Sequence, residues 1–323
     1  MRILIVKLSS LGDVIQTLPA LHDLRAADAG AVVDWVAEEA FAPLLAANVD
    51  GLARVLPIAQ RRWRRNRFGA QVRAERAAFV QGLREERYDA VIDFQGLLKS
   101  ALVARSARLA PGGHRYTYGN ASEACGYEWP VRYLLDRAVP MPRRVHAVQR
   151  YRLLAAAVQG REVSGPPVYD MRCRADRGSR DIMFAHGTTR ADNEWPLAGW
   201  IAIGRRLLAA GLRVCVPHAG EAERARAAQI VEALGDGALL LPAMSLAELP
   251  QRMAACGGVI GVDSGLSHLA VALDLPHVQL FSQPRAWRAG PVGREHQRAV
   301  GGERAPTVDE VWDAWQAVWA CRP

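Results

Sequence analysis

Long apolar runs and paired cysteines are both missing from this sequence. No stretch approaches the roughly 18 uninterrupted apolar residues that a membrane-spanning helix needs. The apolar run before Lys7 is too short for the hydrophobic region of a signal peptide. The cysteines are odd in number and form no CxxC pair; they lie at positions 125, 173, 215, 256 and 321. We therefore expect a cytoplasmic protein without membrane-spanning helices, a disulfide framework or a zinc knuckle.

Acidic residues are in deficit. The 323 residues include 41 lysines and arginines against 33 aspartates and glutamates, a formal net charge of +8, and the excess is nearly all arginine. This balance favours anionic partners, which include nucleic acid, phosphorylated small molecules and anionic membrane surfaces. No Walker A, GxGxxG, DxD or RNA- or DNA-binding motif accompanies it, so we expect neither a bound metal nor a nucleic-acid partner. Half of the residues are hydrophobic, which excludes a disordered chain.

Short apolar runs alternate with amphipathic segments along the whole chain. Such alternation predicts parallel sheets covered by helices on both faces. The expected strands are 3–6, 32–36, 54–58, 90–94, 182–185, 213–216, 238–241, 258–262 and 278–281. The Gly-Pro-Pro end of segment 160–167 predicts a linker. The predicted fold is therefore α/β, with two tandem doubly wound domains at 1–160 and 168–323.

Local signals add detail to this pattern. The glycine- and tyrosine-rich stretch 111–130 predicts an irregular, functional loop. Ser245 with Glu248, and Thr307 with Glu310, have the spacing of capping boxes and predict helix starts. The last helix is a candidate to pack back on the first domain. Its three tryptophans at helical spacing predict core packing; they are Trp312, Trp315 and Trp319.

The first candidate site follows the first predicted strand, in the segment Lys7–Asp13. Ligands of open α/β sheets bind at the carboxyl ends of strands. The segment offers two hydroxyls, a glycine that permits close backbone approach, and a carboxylate. Asp13 is either a helix N-terminal acid stabilised by the helix dipole or a base that accepts a proton from a substrate hydroxyl. The residues alone leave both interpretations open.

Two further candidate sites follow strands of the second half, in the segments His186–Arg190 and Gly261–His268. Threonine hydroxyls and backbone amides at a predicted helix start suit a phosphate. An Asp-Ser-Gly turn before a helix forms an amide nest that suits a diphosphate. Each segment could instead be a polar turn that caps a helix. The residues selected are Thr188, Thr189, Asp263, Ser264, Gly265 and His268.

Five arginines fall within the seven residues Arg61–Arg67, and no acidic residue interrupts them. The run is either a strong anion site or a solvated surface.

Taken together, these motifs resemble the bacterial lipopolysaccharide heptosyltransferases. The similarity runs in order from Met1 to about Phe281. It is carried by RILIVKLSSLGDVIQTLPAL, DWV-EEAF, RRWRR, YDAVIDFQGLLKSA, HGTTRADNEWP and VDSGLSHLAVALD. The resemblance implies the GT-B fold, in which two Rossmann-like domains face each other across the active-site cleft. It further implies an inverting transfer of L-glycero-D-manno-heptose from ADP-heptose, a substrate and not a cofactor, at the cytoplasmic face of the inner membrane.

The resemblance also implies roles for individual residues. Asp13 matches the family's general base. The residues implied to bind the donor are Thr188, Thr189, Arg190, Asn193, Glu221, Met244, Asp263, Ser264, Gly265 and His268, with Glu221 on the ribose and Met244 beside the adenine. Those implied to bind the acceptor are Ser10, Gly12, Arg61, Arg64, Arg65 and Lys99.

The sequence departs from the family at two places. The family usually has a lysine three residues before the proline of its K-x-W-P motif, next to the donor phosphates; here that position is Asn193. We expect another cation to substitute, and Arg190 is the nearest in sequence. The segment Asn120–Cys125 fits the family poorly, so no acceptor residue is assigned from it.

The arginine run and QGLLKSA favour the branch of the family that adds heptose to the first Kdo of Kdo-lipid A. The alternatives are heptosyltransferase II, which acts on the heptosylated acceptor, and a non-catalytic module that binds nucleotide sugars or anionic lipids. A basic nucleic-acid binder would not need the threonine pair and the Asp263 loop together. No obligate protein partner is expected.

Overall fold

The structure, a computed structural model, describes residues 1–66, 68–123, 126–176 and 178–322. Arg67 of the arginine run and Cys125 lie outside the described residues. The chain divides into two compact units, Met1–Asp170 and Met171–Pro323.

The first unit contains one parallel sheet. Its strands are β1 (Arg2–Val6), β2 (Val32–Glu38), β3 (Arg54–Ile58), β4 (Arg87–Asp93), β5 (Arg108–Tyr118) and β6 (Arg137–Val139). They lie in the order β3-β2-β1-β4-β5-β6. The helices are α1 (Leu11–Gln16), α2 (Leu18–Ala27), α3 (Ala42–Asn48), α4 (Gln60–Trp63), α5 (Ala70–Leu83), α6 (Leu98–Ser106), α7 (Val131–Leu134) and α8 (Ala147–Val158).

The second unit repeats this plan. Its strands are β7 (Asp181–Ala185), β8 (Arg213–Val216), β9 (Ala238–Leu240), β10 (Gly258–Val262), β11 (His277–Phe281) and β12 (Gln297–Gly301), and they lie in the order β12-β11-β10-β7-β8-β9. The helices are α9 (Leu197–Ala209), α10 (Glu221–Leu234), α11 (Leu249–Ala254), α12 (Gly265–Ala272), α13 (Ala286–Ala289) and α14 (Val308–Ala320). Counted within its unit, each sheet has the strand order 3-2-1-4-5-6 of dinucleotide-binding folds. The predicted pair of tandem doubly wound units is confirmed.

The central strands are apolar because both faces of each sheet are covered. The β1 side chains of Ile3 to Val6 are completely buried between β2 and β4. In the second unit, α14 packs against β11, β12 and α9. The predicted role of its tryptophan stripe is confirmed: Trp315 lies in the core, and Trp312 and Trp319 pack against the same cluster. The capping box at the start of α14 is also present, since Glu310 N donates to Thr307 Oγ1 and the Glu310 carboxylate accepts from Thr307 N.

The predicted linker 160–167 lies within the first unit. Arg152, whose guanidinium pairs with Asp23 at 2.7 Å, donates to the carbonyl oxygens of Ser164 and Gly165 at 2.7 and 2.9 Å. These bonds hold the segment against α8, and the boundary between the units falls after Asp170.

The prediction of an irregular loop over the whole of 111–130 is wrong for its first part. β5 continues to Tyr118, because its backbone pairs with β4 on one side and β6 on the other. The register shifts at Tyr88 and Ala90 of β4. Gly113 permits the close approach at this irregularity, since a Cβ there would lie 2.6 Å from the Tyr88 carbonyl oxygen.

Two predicted helix starts are also wrong. The Glu248 carboxylate accepts from Ser245 N and Oγ, as in a capping box, but these residues form a turn and α11 begins only at Leu249. The chain after Thr189 passes through a 3-10 turn at Ala191–Asn193, and α9 begins at Leu197, after Pro196. The residue before a proline is disfavoured in the helical conformation, so the start is delayed.

Candidate active site

In each sheet, two loops follow the strands at which the strand order reverses. In the first unit these are β1 and β4, and in the second they are β7 and β10. Ligands of doubly wound sheets bind at the carboxyl ends of such strands. Asp13 is the seventh residue after β1, in the first turn of α1, and Asp263 directly follows β10. The sheet topology therefore brings both sequence-predicted carboxylates to the binding edge of their own units.

The Asp13 carboxylate is fixed by donors on two helices. Its Oδ2 accepts from Ser10 N at 3.1 Å and from Ser10 Oγ at 2.8 Å. Its Oδ1 accepts from the Tyr151 hydroxyl of α8 at 2.8 Å. Lys7 Nζ lies 3.8 Å from Oδ1 and donates to the Tyr151 hydroxyl at 3.0 Å. Predicted site residues Asp13 and Ser10 are thus in direct contact, and Gly12 lies between them on the buried side of α1.

These contacts determine the ionisation of Asp13. Burial acts to raise the pKa of the carboxyl, but the Lys7 ammonium and the hydrogen bonds from Ser10 and Tyr151 outweigh it and lower the pKa to about 2. Asp13 is therefore an anion at neutral pH. Its side chain remains 28% exposed, so a substrate hydroxyl can reach it.

The loop after β4 supports the same site and was not predicted from the sequence. Gln95 Oε1 accepts from the backbone amides of Leu8 and Ser9, each at 3.2 Å. Asp93 in turn accepts from the amides of Gln95 and Gly96, at 3.0 and 3.2 Å. Burial raises the pKa of the Asp93 carboxyl to about 6. Both residues belong to the segment YDAVIDFQGLLKSA, which carries the family resemblance but assigns them no role.

The predicted acceptor residues form a cationic cluster on the first unit. Arg61, Arg64 and Arg65 are exposed on α4 and on the 3-10 turn Arg64–Asn66. Burial lowers the pKa of Lys99, and the nearby guanidinium groups of Arg64 and Arg61 lower it further. The structure therefore brings Lys99 of α6 next to two arginines that lie more than 30 positions earlier.

Arg62, in the middle of the arginine run, has a different role. Its guanidinium pairs with Glu39 at 3.0 Å and with Glu75 at 2.8 Å. The neighbouring Trp63 is buried and donates from Nε1 to Glu75 at 2.6 Å. These contacts attach α4 to the rest of the unit and leave the neighbouring arginines exposed.

The predicted donor residues meet at the ends of β7 and β10, which are adjacent parallel strands. Thr188 Oγ1 donates to the Asp263 carbonyl oxygen at 3.4 Å. The buried Asn193 donates from Nδ2 to the same carbonyl oxygen at 3.1 Å and to Asp263 Oδ2 at 3.3 Å. Thr189 and Arg190 are exposed on the same loop. The two loops therefore form one connected cluster.

Asp263 also contacts side chains of β11 and α12. Gln279 of β11 donates to Asp263 Oδ1 at 3.2 Å, and His268 Nε2 lies 3.7 Å from the same oxygen. The Ser264 hydroxyl oxygen is buried and has no hydrogen-bond partner among the described residues. Ser264 is also the N-cap of α12, which begins at Gly265. An unpaired hydroxyl beside the first amides of a helix fits a phosphate oxygen.

A groove of about 630 Å³ opens at the ends of β8 and β9. Glu221, the first residue of α10, lines it, and its side chain is 84% exposed. The lining also includes Leu241 to Ala243, directly before Met244 in the chain. Glu221, implied to hold the ribose, therefore lines the groove, and Met244, implied to lie beside the adenine, follows its last lining residue in sequence.

Arg285 is the functional candidate that the sequence analysis missed. It precedes α13, and its Nη1 donates to Asn193 Oδ1 at 3.0 Å. Arg190, the expected substitute for the family's lysine, instead donates to the Asp192 carboxylate at 3.3 and 3.4 Å. Nothing in the local sequence places Arg285 beside Asn193, 92 residues earlier.

Within the described residues, no group of three or more His, Cys, Asp or Glu side chains is placed to hold a metal ion. Over the same ranges, none of the helices is both long and apolar enough to cross a bilayer.

Known proteins with similar sequences and folds include several heptosyltransferases. The model of glycosyltransferase family 9 (heptosyltransferase) matches residues 76–311. Lipopolysaccharide heptosyltransferase 1 of Pseudomonas aeruginosa is 39% identical over 299 residues, which are 91% of this chain and 82% of that protein. The structure of E. coli heptosyltransferase WaaC with ADP is similar with a TM-score of 0.88 and 34% identity, covering 98% of this chain and 100% of that one. The same enzyme with ADP-2-deoxy-2-fluoro heptose gives a TM-score of 0.82 and 33% identity over 97% and 98%.

Proposed function

The chain belongs to glycosyltransferase family 9, the heptosyltransferases, and on that premise we propose that it transfers L-glycero-D-manno-heptose from ADP-heptose to the first Kdo of Kdo-lipid A. The observation that carries this proposal is the full-length similarity to a heptosyltransferase solved with an ADP-heptose analogue. The enzyme class is that of a glycosyltransferase acting in lipopolysaccharide core assembly.

In the proposed reaction, a Kdo hydroxyl oxygen attacks the anomeric carbon of the heptose. The bond from that carbon to the diphosphate oxygen breaks, and its electron pair leaves with ADP. The hydroxyl proton passes to the Asp13 carboxylate. Attack opposite the leaving group inverts the anomeric configuration.

The low pKa of Asp13 has a consequence for the timing of proton transfer. An ionised carboxylate is available as a base at neutral pH, but a pKa of about 2 makes it a weak one. The hydroxyl becomes acidic only as its oxygen bonds to the anomeric carbon. Proton transfer therefore belongs late in the step, after most of this bond has formed.

The second unit supplies the groups that stabilise the negative charge of the departing diphosphate. The unpaired Ser264 hydroxyl and the first amides of α12 face negative charge as it develops on the terminal phosphate. Such dipoles act without a metal ion, and we propose a metal-free mechanism. The exposed arginines of the first unit, with Lys99, hold the phosphate and carboxylates of the acceptor.

The deciding experiment offers the purified chain ADP-heptose with either Kdo-lipid A or heptosylated Kdo-lipid A, each with and without EDTA. We expect heptose transfer to Kdo-lipid A at the same rate with the chelator. Turnover with the heptosylated acceptor alone would assign the chain to heptosyltransferase II. ADP binding without transfer to either acceptor would indicate a non-catalytic module, and loss of activity in EDTA would contradict the metal-free mechanism.

We also propose a peripheral location on the cytoplasmic face of the inner membrane. Exposed apolar side chains on α6, on α7 and in the turn before α7 support it: Trp129 and Tyr133 are each 68% exposed, with ring centroids 5.9 Å apart, and Leu102 is 59% exposed. Arg132 lies against the Tyr133 ring. Aromatic and aliphatic side chains flanked by arginine suit the interface of an anionic bilayer.

Vesicle binding tests this location. We expect the chain to sediment with vesicles that contain phosphatidylglycerol and not with pure phosphatidylcholine. The double substitution Trp129→Ala with Tyr133→Ala should abolish sedimentation, whereas Leu239→Ala, which removes an exposed apolar side chain of the second unit, should not. Equal sedimentation of all variants would show that these aromatic side chains do not contact lipid.

A further inference from the structure

The donor cluster of the second unit contains Asn193, at the position where the family resemblance implies a lysine. Asn193 is almost completely buried, and both ends of its amide are used. Nδ2 donates to the Asp263 carbonyl oxygen and carboxylate, and Oδ1 accepts from Arg285 Nη1 at 3.0 Å. The amide therefore connects the Arg285 guanidinium to the Asp263 loop.

Arg285 approaches this cluster from the strand next to β10. It follows β11, so the Asp263 loop lies between the loop that carries Asn193 and the loop that carries Arg285. Its side chain is 23% exposed, compared with 52% for Arg190. A partly buried guanidinium is less screened by water than an exposed one and interacts more strongly with a nearby anion.

Arg285 shares its carboxylate partner with a second arginine. Arg285 Nη2 contacts Asp192 at 2.8 Å, and Arg190 contacts the same carboxylate at 3.3 Å. Hydrogen bonds from Arg190 and Arg285 lower the pKa of Asp192, so it is ionised at neutral pH. One carboxylate shared by two guanidinium groups does not neutralise both of them.

We propose that Arg285 is the cation that stabilises the terminal phosphate of the departing nucleoside diphosphate. A guanidinium has five N–H donors, and its bonds to Asn193 and Asp192 use two of them. In this chain the phosphate charge is thus opposed from the loop after β11, and Asn193 positions the cation. The inference rests on the proposed function for the class of donor, a nucleoside-diphosphate sugar.

Four variants separate charge from packing. Arg285→Gln removes the charge and keeps hydrogen-bonding capacity, and Arg285→Lys keeps the charge. Arg288→Gln is the matched control, because it removes another partly buried arginine three residues later, within α13. Arg285→Gln combined with Asn193→Lys moves the charge to the position that it has in the family motif.

Calorimetry with ADP and AMP tests the contact without turnover. We expect Arg285→Gln to weaken ADP binding about tenfold and AMP binding less than about twofold, since only ADP carries the terminal phosphate. In transfer assays we expect kcat to fall by about 10²-fold with a smaller change in the donor KM, because the charge develops in the transition state. Arg285→Lys and the double variant should recover most of both losses, and Arg288→Gln should resemble the wild type.

Several results would overturn the assignment. They are equal losses of ADP and AMP affinity in Arg285→Gln, an unchanged kcat in that variant, and a larger kcat loss in Arg190→Gln than in Arg285→Gln. The proposed function fails separately, if the wild type transfers no heptose. In that case, a larger loss of ADP affinity than of AMP affinity in Arg285→Gln would still support the contact between Arg285 and the terminal phosphate.

Discussion

At the scale of single residues, the sequence position of Asp13 indicates its candidate role, and its contacts set the pKa of its carboxyl. Its place after the first buried strand can be identified in the sequence. Its low pKa is set by Lys7 and Ser10, which are close in sequence, and in part by Tyr151, which lies 138 positions later and donates to it from α8. No local pattern connects Asp13 to Tyr151, so the base was predictable and this part of its environment was not.

Replacing Asp13 by alanine should abolish most transfer without affecting the donor. Loss of a general base costs about 10²- to 10⁴-fold in rate. Calorimetry with ADP should give wild-type affinity, because the nucleotide contacts that we propose lie in the second unit. As a control, Asp28→Asn, which removes a carboxylate at the end of α2, should leave turnover unchanged. Near-wild-type turnover in Asp13→Ala would mean that another group accepts the proton.

Tyr151→Phe should change the pH dependence of the reaction. The Tyr151 hydroxyl helps to lower the pKa of Asp13, so its removal raises that pKa from about 2 towards the ordinary value of 3.8. The acidic limb of the kcat/KM profile should therefore move to higher pH. Tyr116→Phe, on β5 of the same unit, provides the control. An acidic limb that coincides with that of the wild type would show that Tyr151 does not act on the base.

At the scale of elements, α4 shows why an arginine run is difficult to interpret from sequence. The run has no acidic residue within it, but Glu39 and Glu75 come from other elements and pair with Arg62. Trp63 packs into the core cluster of the first unit. One arginine therefore attaches the element, and its neighbours face solvent. Only the tertiary structure separates these roles.

The exposed arginines should serve the acceptor alone. We expect Arg61→Ala combined with Arg64→Ala to raise the acceptor KM about tenfold or more, with a donor KM within about twofold of the wild type. Raising the salt concentration should increase the wild-type acceptor KM, since exposed charges are screened over about 8–10 Å. Arg73→Ala, at another exposed arginine of the same unit, is the control. A donor KM that rises equally would assign these arginines to the other substrate.

The differences between predicted and observed elements have different causes. β5 extends through a glycine-rich stretch because two neighbouring strands supply hydrogen bonds to its backbone. Pairing on both sides outweighs the weak strand preference of glycine. The Ser245–Glu248 turn forms the contacts of a capping box without starting a helix. Here the local pattern predicted the contacts correctly and the element incorrectly.

At the scale of the whole molecule, the two units should respond differently to acid. His186 and His277 of the second unit are buried, and burial lowers the pKa of each to about 4 from the ordinary 6.5. As the pH falls, these histidines therefore bind protons in the unfolded chain before they do so in the folded chain. Stability is fully present above about pH 6.5 and is lost as the pH falls towards 4, by on the order of 3 kcal/mol for each histidine.

Asp93 of the first unit changes the folding stability with pH in the opposite direction. Burial raises its pKa to about 6, so its protonated form favours the folded state, and this contribution is lost as the pH rises through 6. Amide hydrogen exchange at pH 7 and pH 5 should therefore show a larger loss of protection in β7 and β10 than in β1 and β4. His277→Asn should reduce the difference, and His114→Asn in the first unit should not. Equal losses in both units would contradict the assignment to the buried histidines.

The sequence by itself determined the family, the two doubly wound units and most of the candidate site. Strand-length apolar runs, and polar residues directly after them, are local properties of the chain, and in parallel sheets they specify both the layers and the binding edge. The structure alone decided which charges are paired and which are available. Tyr151 at Asp13, Glu75 at Arg62 and Arg285 at Asn193 are contacts between elements distant in sequence. A hydrogen bond or ion pair depends on distances of a few ångströms, and only the packing of the helices and strands sets those distances.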